Sequence, residues 1–112
     1  MELRAERMEA GLIVHVDAPR IDAAGALAFK DGIKALSDVN TGRMVLDLGA
    51  VGFIDSSGLG AVVAAMKQLG PGQTLELAAL TPPVEKVFRL TRMDTVFRIH
   101  PTLAADALNA AG

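Results

Sequence analysis

Short apolar runs alternate along this 112-residue chain with segments whose apolar residues recur every three to four positions, and that alternation most narrows what it can fold into. Leu12, Val14 and Val16 interleave with Ile13, His15 and Asp17 after the turn-like Glu9, Ala10 and Gly11, which predicts a strand. The segment Leu3 to Met8 is expected to pair with it as an N-terminal hairpin, its charges suiting a sheet edge. Ala26, Phe29, Ile33 and Leu36 mark an amphipathic helix over residues 23–36, with Asp22 in the N-cap position. After Thr41 and Gly42, the run Met44, Val45, Leu46 and Leu48 is too short for a helix and reads as a buried strand.

The alternation continues. Leu59, Val62, Met66 and Leu69 share a face of a helix over 57–69, which Gly70, Pro71 and Gly72 break. A strand over 74–80 follows, then Thr81 as an N-cap with Pro82 or Pro83 in the first turn. Val84, Val87 and Phe88 point inward in a helix ending near Thr91. Residues 96–99 read as a last short strand, and Pro101 and Thr102 open an Ala-rich terminal helix carrying Leu103 and Leu108. The sequence therefore predicts one α/β domain, with a central mixed β-sheet, an N-terminal β-hairpin and about four helices.

Composition removes several function classes. A formal charge of −2 gives no electrostatic footprint for nucleic acid or anionic lipid, and with no Trp or Tyr the chain lacks a base-stacking platform. Zero cysteines exclude disulfides, thiolate metal sites and cysteine nucleophiles. The start carries Glu2, Arg4, Glu6 and Arg7 in place of a signal's apolar core, and the longest apolar candidate, Gly58 to Met66, stops at Lys67. A cytoplasmic location without membrane or nucleic-acid contact is expected.

The chemistry-bearing stretch runs from Asp47 to Gly60 and joins a strand to a helix, the favoured place for sites in open α/β sheets. It delivers Asp55, Ser56 and Ser57 to a helix start, where unpaired N–H groups meet any introduced charge. Asp and Ser are also common N-caps and glycines commonly tighten a turn, so the residues by themselves favour a plain helix cap over a site. The Gly-x-Ser-x-Gly elbow is absent, since Ile54 precedes Ser56 and Leu59 follows Ser57 at the glycine offsets. A hydrolase using Ser56 would also need a base within about 3 Å and an oxyanion site. No nucleotide fingerprint is complete, as Gly58 to Val63 lacks a third glycine. His15 and His100 have no ligand-like spacing, so no metal and no cofactor are expected. Lys86, Arg89, Arg92 and Arg98 are interspersed with Glu85 and Asp94 and read as a solvated face. Met44, Met66 and Met93 read as core filler.

Phe53, Ile54, Asp55, Ser56, Ser57, Gly58, Leu59 and Gly60, following Asp47 and Leu48, resemble the phosphorylation motif of the STAS domain of bacterial anti-sigma-factor antagonists. The stretch from Pro83 to Phe97 resembles that family's third helix and last strand in order and spacing. With the early hairpin, the resemblance covers nearly all of residues 1–112 as one STAS domain. It implies a non-enzymatic adaptor that binds an anti-sigma factor with serine kinase activity, frees sigma factor when unphosphorylated, and is restored by a serine phosphatase. Ser56 matches the phosphoacceptor, Ser57 the neighbouring serine, Gly58 the glycine after them, and Asp55 the acidic residue of the docking loop. Asp22 matches a partner-contact Asp near the first helix. The chain departs from the pattern where Ala18, Pro19, Arg20 and Ile21 replace the stretch that usually carries a Gly before that Asp. The resemblance also admits another role, a STAS-type structural or regulatory subunit docking on a transporter ATPase.

Overall fold

Period-two alternation in the strands sorts their side chains onto the two faces of one sheet. In β2 (Gly11–Asp17), Leu12, Val14 and Val16 are buried in the main core while His15 and Asp17 lie on the opposite face. β4 (Arg43–Asp47) and β6 (Thr74–Ala78) repeat the pattern with Met44, Leu46, Leu75 and Leu77. A computed structural model of the chain describes residues 1–9, 11–39 and 42–104. Its five-stranded sheet has the order β1-β2-β4-β6-β7, with β1 (Glu2–Met8) at one edge and β7 (Ile99–His100) at the other. β1 runs antiparallel to β2, as the expected hairpin requires, and the other neighbours are parallel.

The helices supply the other half of the core. Phe29 and Ile33 of α1 (Ala26–Asp38), Ala61, Val62 and Ala65 of α2 (Ser56–Lys67), and Val84 and Phe88 of α3 (Pro82–Leu90) join the inward strand residues in one cluster. Phe97 closes it against Phe88, edge to face with ring centroids 6.0 Å apart. The opposite face holds a smaller apolar cluster of Ile13, Val45 and Ala78, flanked by Met8 and Leu103.

Several boundaries differ from the sequence expectation. Three α-helices are present among the described residues, where about four are expected. Pro101 to Ala104 are not helical, and residues 105–112 of the expected terminal helix lie outside the described residues. α1 begins three residues later than expected, with Gly25 and not Asp22 at its N-cap, because the Asp22 carbonyl accepts from the Gly25 N–H (3.1 Å) in a preceding turn. The last strand is displaced to Ile99–His100, since Met93–Thr95 form a 3₁₀ turn and Phe97 turns into the core. Thr81 occupies its expected N-cap position, yet its hydroxyl donates to the Val51 carbonyl (2.7 Å), tying α3 to the strand-to-helix loop.

Two further strands were not anticipated. β3 (Arg20–Ile21) and β5 (Phe53–Ile54) pair in parallel as a separate two-residue ribbon, Arg20 opposite Phe53 and Ile21 opposite Ile54. This ribbon joins the approach to α1 to the approach to α2, and it builds the candidate site.

Candidate functional site

The chain leaving β4 is folded back by its own side chains. Asp47 Oδ1 accepts from the Gly49 N–H (2.9 Å), and the Val51 N–H donates to the Leu48 carbonyl (3.0 Å), so the loop turns at once with Val51 fully buried. The Gly52 N–H then donates to the Pro19 carbonyl (2.8 Å) and starts the β3–β5 ribbon. At its far end the Asp55 N–H reaches the Ile21 carbonyl (3.3 Å).

Asp55 is the keystone. Its extended backbone and its Oδ1, which accepts from the Gly58 N–H at 2.7 Å, make it the N-cap of α2. Its Oδ2 accepts from the Ala23 N–H at 3.3 Å, so one carboxylate both caps α2 and holds the segment preceding α1. That carboxylate also complements the positive end of the α2 dipole.

Ser56 and Ser57 are the first two residues of α2 and both are exposed. Neither hydroxyl has a partner among the described residues. Gly58 is buried, and a Cβ there would overlap the Ile21 carbonyl and meet Ile54 Cγ1 at 3.0 Å. Glycine therefore allows α2 to sit against β3, and Gly58 acts through backbone packing beneath the surface. Asp22 is half-buried beside Ala23, with its Oδ2 3.6 Å from Arg20 Nη1. The structure thus brings Asp22, Asp55, Ser56, Ser57 and Gly58 to one end of α2, although 32 residues separate the Asp55–Ala23 bond in sequence.

Two residues of this ridge escaped the sequence reading as site members. The Phe53 side chain stands 47% exposed, and the Arg20 guanidinium lies over its ring, 5.2 Å from the centroid. Phe53 is visible in sequence only as part of the motif, and the pairing that sets Arg20 opposite it comes from a ribbon too short to leave a period.

The histidines lie on the outer face of the sheet. His15 Nδ1 is 2.6 Å from Asp47 Oδ2 and its Nε2 is 2.8 Å from Glu6 Oε1. These carboxylates hold its pKa above the ordinary value, Asp47 more than Glu6, against the opposing effect of burial. His100 Nε2 is 2.6 Å from Glu76 Oε1, and Arg43 binds the same carboxylate through two nitrogens at 2.8 Å. Burial pushes the Glu76 carboxyl up, but the hydrogen bonds from Arg43 and His100 outweigh it and leave the pKa below the usual range. Both histidines therefore pair with carboxylates, a proximity that spacing in sequence did not reveal. A groove of about 350 Å³, lined by residues including Met66, Leu69, Leu75 and Val96, contains none of the ridge residues.

Residues 2–105 match the STAS domain family. The chain belongs to that family. It is 31% identical over 108 residues to BtrV of Bordetella bronchiseptica, a protein assigned as an anti-sigma factor antagonist, covering 96% of this chain and 92% of that one. A crystal structure of an anti-sigma factor antagonist from Mycobacterium paratuberculosis superposes with a TM-score of 0.84 at 31% identity, over 97% of this chain and 92% of that one. The fold is shared with the anti-sigma factor antagonist SpoIIAA. Its unphosphorylated form gives a TM-score of 0.72 at 18% identity, covering 98% of this chain and 96% of that one. The phosphorylated form of the Bacillus protein gives 0.66 at 16% identity, covering 99% and 100%. Among the described residues, no helix of this STAS domain is long and apolar enough to cross a membrane.

Proposed function

We propose that this STAS domain is an anti-sigma factor antagonist switched by phosphorylation of Ser56. The observation that carries the reading is an exposed Ser56 hydroxyl without a partner among the described residues, at the first position of a helix whose cap, Asp55, is fixed to a second segment of chain. Two relatives at 31% identity, both named as anti-sigma factor antagonists, support it. In this reading the domain, unmodified, occupies an anti-sigma factor with serine kinase activity and so releases sigma factor. Asp22, Asp55 and Ser57 contribute to the partner-facing ridge, and buried Gly58 sets its shape. The protein is a substrate and not an enzyme, works in the cytoplasm, and needs no cofactor.

The step is simple to balance. Ser56 Oγ bonds to the γ-phosphorus of ATP held by the kinase, the bond from that phosphorus to the β–γ bridging oxygen breaks, ADP leaves, and a base of the kinase takes the hydroxyl proton. The product carries about −1.5 to −2 additional charge near neutral pH. A helix N-terminus tolerates that charge, so the fold is retained and the change is felt by whatever docks on the ridge. A serine phosphatase reverses it.

The test uses tagged wild type, Ser56→Ala and Ser56→Asp, each drawn through host lysate, with bound proteins identified by mass. A small ATP-binding anti-sigma factor held by wild type and Ser56→Ala but lost by Ser56→Asp is the expected result. A transporter subunit held equally by all three would overturn the reading and leave Ser56 as part of a helix start.

A further inference from the structure

We propose that Arg20 and Phe53 form a preorganised anchor for an acidic patch on the anti-sigma factor, so that this domain selects its partner by charge at Arg20. The inference rests on the reading of Ser56 given above and adds the chemistry of the surface that faces it.

Phe53 is the one phenylalanine outside the core: Phe29, Phe88 and Phe97 are at most 4% exposed, whereas Phe53 is 47% exposed. An isolated exposed apolar side chain is ordinary. What distinguishes this one is its place three residues before Ser56 and the guanidinium on its face. Arg20 is itself 62% exposed in its side chain. Its approach to Asp22, at 3.6 Å, is longer than a hydrogen bond, so the planar fork keeps donors available to solvent.

The ridge carries one cation, Arg20, against two carboxylates, Asp22 and Asp55, so the exposure of each group, and not their sum, is what favours an anionic occupant. Both oxygens of Asp55 are committed to backbone amides, of Gly58 and Ala23, and Asp22 is half-buried against Arg20. The most exposed of these three charged groups is therefore Arg20, a cation stacked on an aromatic ring. Arg and aromatic residues dominate the energetics of interfaces, and a guanidinium fork suits a carboxylate above other groups.

Rigidity adds to the case. Arg20 and Phe53 are paired across β3 and β5, the ribbon is closed at one end by the Gly52-to-Pro19 bond, and Asp55 clamps the other end. Little ordering cost remains to be met on docking. The same geometry gives the phosphate a reason to weaken binding: about −1.5 to −2 charge at Ser56, on the same ridge, offsets the field that Arg20 presents to an acidic partner.

The anti-sigma factor captured by Ser56→Ala and identified by mass is the probe. Its affinity and association rate are measured against wild type, Arg20→Glu, Arg20→Lys and Phe53→Ala at two salt concentrations, with thermal melts confirming that each variant is folded. Arg20→Glu is expected to bind at least about tenfold more weakly, mainly through slower association and with a reversed or flattened salt dependence. Arg20→Lys, which keeps the charge but not the fork, should fall between wild type and Arg20→Glu, and Phe53→Ala should lose about tenfold through faster dissociation. Unchanged or tighter binding by Arg20→Glu would overturn the inference while leaving the function of Ser56 intact. Failure of Ser56→Ala to capture any anti-sigma factor would remove the proposed function and this inference together.

Discussion

Gly58 and Gly60 lie two positions apart in the same turn of α2, and their surroundings give them opposite consequences. A Cβ on Gly58 would enter the Ile21 carbonyl, which is backbone held in the β3–β5 ribbon and has no rotamer by which to yield. A Cβ on Gly60 meets nothing within 4 Å. Gly58→Ala should therefore destabilise the domain by about 1–3 kcal/mol, as overpacking does. Gly60→Ala should stabilise it by roughly 0.5–1 kcal/mol, the usual gain for replacing glycine inside a helix. Urea denaturation of the two variants checks this: midpoints moving in the same direction would contradict the packing of α2 on β3. The glycine that the motif places beside the serines is thus needed by the architecture, whatever docks above it.

Among the elements, β6 carries the most demanding buried group. Glu76 is 7% exposed on the sheet's outer face, bound bidentately by Arg43 of β4 and once by His100 of β7. Three parallel strands are thereby joined through one carboxylate on the face away from the helices. Removing one member strands the others without compensation, so Glu76→Ala should cost about 3–5 kcal/mol, read as a fall in the thermal midpoint. A loss under about 1 kcal/mol, the ordinary value of an exposed pair, would show that water reaches the cluster freely. Little of this was legible in the sequence. The alternation of Leu75 and Leu77 with Glu76 announces a strand, and periodicity likewise located β2 and the bodies of all three helices, while β4 was legible as a short apolar run and β1 only as the hairpin partner of β2. Two-residue strands carry no period, so the β3–β5 ribbon was invisible, and with it the contact of Asp55 with Ala23 and of Arg20 with Phe53. The start of α1 was misplaced for a related reason: Asp22 has the composition of a cap, but its carbonyl is taken by a turn and the next amide by Asp55. The motif revealed which residues lie at the helix start; only the long-range pairing reveals what they face.

Across the whole molecule, ionic groups on the sheet's outer face set how stability follows pH, with opposite signs at its two ends. His15 offers both ring nitrogens to carboxylates, Asp47 at 2.6 Å and Glu6 at 2.8 Å, and only the doubly protonated ring can donate to both. Those two contacts raise its pKa, while burial and the nearby Arg4 oppose the rise. A group whose folded pKa lies above its unfolded value, about 6.5 for histidine, adds stability that is complete below that value and is lost as pH climbs through the folded one. Glu76 behaves inversely. Its folded pKa is depressed, so its contribution is present above the unfolded carboxylate value of about 4.3 and disappears as pH falls through the folded one. Asp17 of β2, held down by Arg4 of the edge strand β1, shares that direction. Stability should therefore be greatest in weak acid, at about pH 5–6, and decline on both sides. The alkaline decline belongs to His15, which bridges β1, β2 and β4, and it should begin with release of Glu6, the more exposed partner at 64% against 19% for Asp47. Thermal melts of wild type and His15→Gln at pH 5.5 and pH 8 test this. Wild type should melt lower at pH 8, and the difference should shrink in the variant, which cannot carry the charge. Equal melting of wild type at the two pH values would mean that the imidazolium adds nothing to the joint between β1 and the parallel strands.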